Sequence, residues 1–378
     1  MIKLSDKYQC SGCSACADVC PVNCIAYKHD ASGFVYPIID EQTCIGCGAC
    51  ERVCPIRPEN VSTQQPHICY AAWAKDESIH STSSSGGLGY ALAQEILNRG
   101  GVVYGCSAED PRHVRHIRVD SVKELRLLQG SKYVQSDTQG IYKLLKNDVK
   151  SGKDVLFIGT PCQASAVKKL YKRIPDNLYT VDLICHGVPS QQMLNEQIDA
   201  IGIKHHLKEP VSISFRKGTE FRLQLKYPDN KSFEEDIWHI PYYRAFFKGY
   251  SYRPSCYKCP YAGIKRKGDL TIGDFWGIKD LQDIDGQSRN GVSVVLALTP
   301  QGQQLLDAVS SQLVIQTRPI QEAVDGNDQL RHPVKDTLRS KFFRTLYPAV
   351  PLGNAVTICV ADKKLITLSR IILRRLKI

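Results

Sequence analysis

Cys10-Ser-Gly-Cys-Ser-Ala-Cys-Ala-Asp-Val-Cys-Pro21 and Cys44-Ile-Gly-Cys-Gly-Ala-Cys-Glu-Arg-Val-Cys-Pro55 are two copies of one pattern. Each reads C-x2-C-x2-C-x3-C-P. Three thiolates at that spacing wrap one [4Fe–4S] cubane, while the cysteine before the proline reaches across to the other. The spacing therefore predicts Cys10, Cys13, Cys16 and Cys54 around one cluster, and Cys44, Cys47, Cys50 and Cys20 around the second. Zinc needs four ligands per ion and has no use for the crossed arrangement. The C-x3-C-x2-C of radical enzymes is not present either, because Cys16, Cys20 and Cys24 have the wrong second gap.

The surrounding sequence fits a two-cluster ferredoxin segment followed by something larger. At 378 residues, two or three domains are expected. The chain is 43% apolar and 23% charged, an ordinary balance for a soluble protein. Met1–Lys7 lacks the apolar stretch of a secretion signal, and no apolar run is long enough for a membrane span. Sixteen cysteines in such a chain point to metal ligands in a reducing compartment, so a cytoplasmic location is expected. The formal charge is +11. Three cubanes of about −2 each would lower it to roughly +5. That balance suits an anionic partner such as an acidic electron carrier or a phosphorylated coenzyme, and no nucleic-acid module is present.

Between the cysteine repeats, Ile25–Asp40 reads as a hairpin turning at Gly33. Ile56–Gln65 is rich in Pro, Asn, Ser and Gln and reads as a linker, which ends a first domain at residues 1–65. From Ile68 onward, strand-like and helix-like stretches alternate. Cys69–Ala74, Val102–Ser107, Asp154–Gly159 and Tyr179–Cys185 read as strands, which predicts an α/β domain with a largely parallel sheet. Shorter alternating strands follow between Glu209 and Phe233, then an aromatic helix at Trp238–Phe247 and a late strand at Gly291–Thr299. The expected fold is mixed α+β and α/β: a small ferredoxin-like two-cluster domain, a larger α/β domain at 66–330, and a basic helical tail at 331–378. The basic, amphipathic pattern of the tail allows peripheral docking on a membrane surface. Ile and Leu on several of its faces favour packing against the protein itself or a partner.

Four later cysteines stand in telling places. Cys162 and Cys185 follow the ends of two predicted parallel strands, and Cys256 and Cys259 form a C-x2-C loop. Carboxyl ends of parallel strands lie on one edge, where ligands bind. Four thiolates there suit one cubane or one zinc ion, and buried inert cysteines are the plainer alternative. Cys24, Cys69, Cys106 and Cys359 read as packing residues. Ser83-Ser-Ser-Gly-Gly87 at a helix start is a candidate phosphate site, because glycines allow close approach and the helix terminus favours an anion. A flexible loop with a capping serine would look the same. Gly130-Ser-Lys-Tyr-Val-Gln-Ser136 adds a cation, hydroxyls and an aromatic ring, a set able to hold an isoalloxazine ring or its phosphates.

Ser-Ser-Gly-Gly, Gly-Ser-Lys-Tyr-Val-Gln-Ser, Gly-Thr-Pro-Cys-Gln, Cys-His-Gly-Val-Pro-Ser, Cys256-Tyr-Lys-Cys-Pro and Gly268-Asp-Leu-Thr-Ile-Gly-Asp-Phe-Trp-Gly277 occur in that order. Together they resemble the coenzyme F420 hydrogenase/dehydrogenase beta-subunit family, fused to an N-terminal two-cluster ferredoxin. The resemblance runs to about residue 310. It implies FAD, a third [4Fe–4S] cluster held by Cys162, Cys185, Cys256 and Cys259, and flavin contacts from Ser85, Gly86, Gly87, Ser131, Lys132 and Tyr133. Asp269 and Asp274 match the family's Gly-Asp motif, either with a direct role or as turn residues. His186 reads as a structural neighbour of Cys185 or as a proton relay. The implied activity is that of an iron–sulfur flavin-dependent oxidoreductase. It would pass electrons between the clusters and a flavin that exchanges a hydride with coenzyme F420 or a similar organic acceptor or donor. Two other readings stand beside it: an electron-transfer subunit of a larger hydrogenase or formate dehydrogenase, and a non-catalytic iron–sulfur interaction module. A redox partner, either ferredoxin or such a subunit, is expected for the first two.

Overall fold

The computed structural model describes residues 4–61, 63–279 and 290–361. The chain opens with the antiparallel hairpin β1 (Ile25–His29) and β2 (Val35–Ile39). Its turn uses Gly33 at a φ of 80°, a conformation that glycine adopts without steric cost. Short helices at Ala15–Asp18 and Ala49–Val53 lie one in each cysteine repeat. The linker is pinned. Asn60 Nδ2 donates to the carbonyls of Glu51, Arg52 and Cys54, and Gln64 exchanges backbone hydrogen bonds with Arg266.

The later strands are β3 (Ile68–Ala74), β4 (Val102–Ser107), β5 (Arg115–Val119), β6 (Val155–Gly159), β7 (Leu178–Leu183), β8 (Ser212–Lys217), β9 (Glu220–Lys226), β10 (Ser232–Asp236), β11 (Leu270–Asp274), β12 (Ser293–Ala297) and β13 (Leu313–Arg318). Eight form one sheet in the order β13-β3-β12-β11-β7-β6-β4-β5. The four central strands, β11-β7-β6-β4, are parallel. β12, β3 and β13 on one side and β5 on the other pair antiparallel, so the sheet is mixed rather than largely parallel. At β5 the reason is connection length: Ala108–Val114 is too short for the dozen or more residues that a parallel crossover needs. β8, β9 and β10 make a separate antiparallel sheet.

Helices follow the strands as the sequence pattern dictates. Leu88–Asn98 buries Leu88, Ala91, Leu92 and Ile96 against the sheet and ends at Gly100, whose φ is 76°. Pro161–Lys169 starts with a reciprocal capping box between Thr160 and Gln163. Ile141–Lys150 has no side-chain cap of its own. Asp18, from the first cysteine repeat, takes that role by accepting from the Gly140 and Tyr142 amides at 2.9 and 3.0 Å. Helices Leu338–Leu346 and Leu352–Val360 bury Phe343, Leu346, Leu352, Val356 and Cys359 among Ile198, Tyr242 and Tyr243, so the packed core runs past residue 331. The basic stretch after Ala361 lies outside the described residues. Among those residues, no helix is long and apolar enough to cross a membrane.

Two ion pairs are sealed inside. Lys168 Nζ donates to Asp269 at 2.8 Å, and Arg266 donates to Asp182 at 2.9 Å. Asp182 also accepts from Thr271 Oγ1 and the Lys267 and Gly268 amides. An Asp182→Ala change leaves the guanidinium buried without its counter-charge. Such a loss costs roughly 3–5 kcal/mol. Urea unfolding should show it as a lower midpoint with an unchanged slope.

Candidate functional site

Cys10, Cys13, Cys16 and Cys54 line one cavity of about 30 Å³ together with Tyr27, Val35 and Ile56. Cys20, Cys44, Cys47 and Cys50 line a second, of about 10 Å³, and Cys50 borders both. Cys54 thus lines the cavity of the first repeat and Cys20 that of the second. Cys24 is buried in an apolar cluster with Ile25 and Cys50. Its sulfur lies 3.4 Å from Cys20 Sγ on the wall of the second cavity. Cys69 and Cys359 are buried in apolar clusters, and Cys106 borders the large cavity described below.

Cys162, Cys185, Cys256 and Cys259 line a third cavity, of about 240 Å³. Cys162 follows the carboxyl end of β6, and Cys185 follows that of β7. The segment after the Cys256–Cys259 loop is tied to β7 by Arg266, which donates to the Tyr261 and Leu183 carbonyls as well as to Asp182. Burial raises all four, with neighbouring thiols adding to it at Cys185, Cys256 and Cys259, Cys185 to about 12 and Cys259 to about 11. Four such groups ionise only if a cation neutralises them. Yet among the described residues no three His, Cys, Asp or Glu side chains gather as they would around a single metal ion. Four thiols around one cavity are the donor set of a four-iron cluster. The hydroxyl of Ser11 and the carbonyl oxygen of Gln329, both buried without a partner, belong to residues on the same wall.

The fourth cavity is the largest, about 620 Å³, and opens along the carboxyl edge of the parallel strands. Ser85, Gly87, Ser131, Lys132 and Tyr133 are on its wall; Gly86 is not. The Gly86 amide donates to Ser293 Oγ at 3.0 Å, and a side chain there would strike the Ala72 carbonyl. Gly86 is thus a glycine because β3 passes close behind it. Ser84 Oγ accepts from the Ser131 amide and joins the two motif loops. Burial lowers Lys132 to about 8, with Nζ donating to the Leu128 and Gln129 carbonyls. Arg216, which the sequence did not single out, donates to Tyr133 Oη, the Ser84 carbonyl and Asp274, and lies 4.1 Å over the Phe221 ring. The two acidic positions of the Gly-Asp motif separate. Asp274 faces the cavity, whereas Asp269 is buried at the opposite edge with Lys168, Thr180 and Thr299.

The cavities form a file. The first and third share Ser11 and Ile56; the third and fourth share Ser136, Thr160, Gln163, Cys185 and His186. Through the second partition runs a chain of hydrogen bonds. His116 contacts Ser136 Oγ at 2.9 Å, Gln163 Nε2 donates to Ser136 Oγ, and Thr160 Oγ1 donates to Gln163 Oε1 and lies 3.2 Å from Cys162 Sγ. Burial lowers His116 to about 4, so the ring is neutral, and it also holds His186 below its ordinary value.

Residues 69–143 and 152–323 match the family models for the N-terminal and C-terminal parts of the coenzyme F420 hydrogenase/dehydrogenase beta subunit, and residues 9–57 match a 4Fe-4S dicluster domain. The chain belongs to the F420 hydrogenase/dehydrogenase beta-subunit family. It is an iron–sulfur electron-transfer protein of that oxidoreductase type. A chain from the F420-reducing [NiFe] hydrogenase complex of Methanosarcina barkeri aligns with this family member at 22% identity and a TM-score of 0.48, covering 71% of this chain and 87% of that one. None of the curated proteins matches it.

Gly12 has a φ of 66°, and a methyl group there would meet the Arg253 guanidinium at 2.6 Å. A Gly12→Ala change should cost at least about 1–2 kcal/mol from the left-handed backbone alone. Hydrogen exchange should show lower protection across residues 10–57 than in the β6–β7 core.

Proposed function

We propose that the chain is an iron–sulfur flavoprotein oxidoreductase. It passes electrons between N-terminal clusters and a flavin, FAD, that exchanges a hydride with coenzyme F420 or a similar organic acceptor. The observation that carries this reading is the file of four cavities, each sharing wall residues with the next. In it, residues 1–65 are the inlet domain and residues 66–330 hold the flavin and the third cluster. Cys10, Cys13, Cys16 and Cys54 hold one cluster, Cys20, Cys44, Cys47 and Cys50 the next, and Cys162, Cys185, Cys256 and Cys259 the third. Clusters supply single electrons, and a flavin couples them to hydride transfer.

The chain's own residues do the rest. Cys47 and Ile45 are exposed, which marks the outer cavity as the port for a redox partner. The wall residues between cavities exclude water. The helix start after Gly87, with Ser85, Ser131 and Lys132, offers amides, hydroxyls and a cation to an anionic cofactor. Half-exposed Trp276 lies beside Phe221, with 6.2 Å between ring centroids, and offers a planar acceptor a face at the cavity mouth. A cavity of about 620 Å³ falls within the range of cofactor pockets, against a non-catalytic module. The exposed port equally suits an electron-transfer subunit of a larger hydrogenase or formate dehydrogenase, which co-purification of a large catalytic subunit would establish. A reducing compartment, the cytoplasm, is where such a chain would work.

Anaerobic purification with cofactor extraction should give about twelve irons per chain, from three four-iron clusters, and one flavin. About eight irons would remove the third cluster, and absence of flavin would remove the hydride chemistry. A Cys256→Ser variant should keep the N-terminal clusters yet lose flavin bleaching by reduced ferredoxin. Flavin affinity should also depend on pH through Lys132. Its depressed value of about 8 means that the charge is present below pH 8 and lost above it, while a bound anion holds the proton on. Affinity should therefore fall by up to about tenfold per pH unit above 8. In Lys132→Met it should be weaker at pH 7 and flat across that range, as titration of the flavin-free protein would read out.

A further inference from the structure

Arg253 is fully buried, at 0% exposure. Its Nε donates to the Cys10 carbonyl at 2.7 Å, one Nη to Gln135 Oε1 at 3.0 Å, and the other to the Val35 carbonyl at 2.7 Å. That last nitrogen also points at Cys10 Sγ from 3.6 Å. The guanidinium lies 4.3 Å over the Tyr36 ring and 5.5 Å from that of Phe34. Its backbone is held between the other thiols: the Arg253 amide donates to the Val188 carbonyl, and its own carbonyl accepts from the Cys256 amide.

Among the described partners of Arg253 there are carbonyls, an amide and a thiol, and no carboxylate. Among the described residues, the other buried guanidiniums and Lys168 are matched by carboxylates, Arg266 by Asp182, Lys168 by Asp269 and Arg216 by Asp274, whereas Lys132, also held by carbonyls alone, answers burial with a lowered pKa. A guanidinium does not lose its proton, and an uncompensated charge in a dry interior is strongly disfavoured. The compensation must come from a group beside Cys10. A cubane with four thiolates carries net negative charge, and each electron it accepts makes that charge more negative.

We infer that Arg253 is the counter-ion of the cluster at Cys10, Cys13, Cys16 and Cys54, and that its fixed charge raises the reduction potential of that cluster. This rests on the cluster reading above. It makes Arg253 a tuning residue, acting on the inner of the two N-terminal clusters. Beside the outer one, near exposed Cys47, the solvent-exposed guanidinium of Arg52 donates Nη1 to the Cys47 carbonyl. A raised potential at the inner cluster favours inward transfer of electrons that enter at the port.

Two variants test this, with iron content and EPR-monitored redox titration as readouts. Arg253→Gln removes the charge. Gln135→Glu leaves Arg253 in place, keeps an acceptor for its Nη, gives up the Nε2 donations to the Ser11 and Gly12 carbonyls and adds a compensating charge, so it serves as a second test, read at full iron content, if the first variant fails to fold. Each should lower the midpoint potential of one N-terminal cluster by the equivalent of about a tenfold shift in the reduction equilibrium, about 59 mV for one electron. The outer cluster should stay unchanged, and Arg253→Lys should restore most of the loss. Potentials equal to wild type at full iron content in both substitutions would overturn the inference. Unaltered protein that binds no iron at residues 10–54 would instead overturn the cluster reading, and that outcome is read before any potential is measured.

Discussion

The Asp182–Arg266 pair is the constraint that ties together two of the stretches walling the third cavity. Asp182 sits inside β7, three residues before Cys185, and Arg266 lies seven residues after Cys259. Its planar fork reaches Asp182, the Leu183 carbonyl and the Tyr261 carbonyl at once. Two distant stretches that carry thiols are thus clamped to the same piece of strand. A buried pair of this kind adds little net stability over apolar side chains of the same volume. What it supplies is a fixed geometry, which a preorganised ligand set needs from its supporting residues.

The sheet divides labour by edge. β11 runs across it, and the two aspartates of Gly268-Asp-Leu-Thr-Ile-Gly-Asp274 fall on opposite sides. Asp269 holds the back edge to Lys168, Thr180 and the capping Thr299, while Asp274 holds Arg216 at the cavity. Five residues of extended chain span roughly 17 Å. That length is enough to turn one short motif into a structural anchor at one end and a site residue at the other.

What was legible in the sequence was what depends on near neighbours in the chain. The cysteine spacings and the Gly33 hairpin rest on contacts a few residues long, and the strands β4, β6 and β7 announce themselves by their own apolar runs. Partners chosen across the fold left no local trace. Arg216 is an ordinary strand residue until β8 brings it over Phe221, and Arg253 is one arginine in an aromatic stretch until the hairpin closes on it. Gly86 shows a different limit. A glycine required by a passing strand and a glycine required by a phosphate look alike in sequence, and only the Ala72 carbonyl behind it decides between them. The antiparallel flanks of the sheet were hidden likewise, since strand direction depends on which neighbour a strand meets.

The cap that Asp18 places on the helix after Gly140 has a consequence for how the chain is made. The residues it joins are 122 positions apart, and Cys10 and Arg253 are 243 apart. At synthesis rates of 5–20 residues per second, the first thiols emerge roughly 12–49 s before the residue that walls them in. During that interval they lack the guanidinium that lies against them in the folded chain. Newly made chain therefore depends on its surroundings, on reductant and on iron and sulfide delivery, to keep those thiols unoxidised until the fold can shelter them.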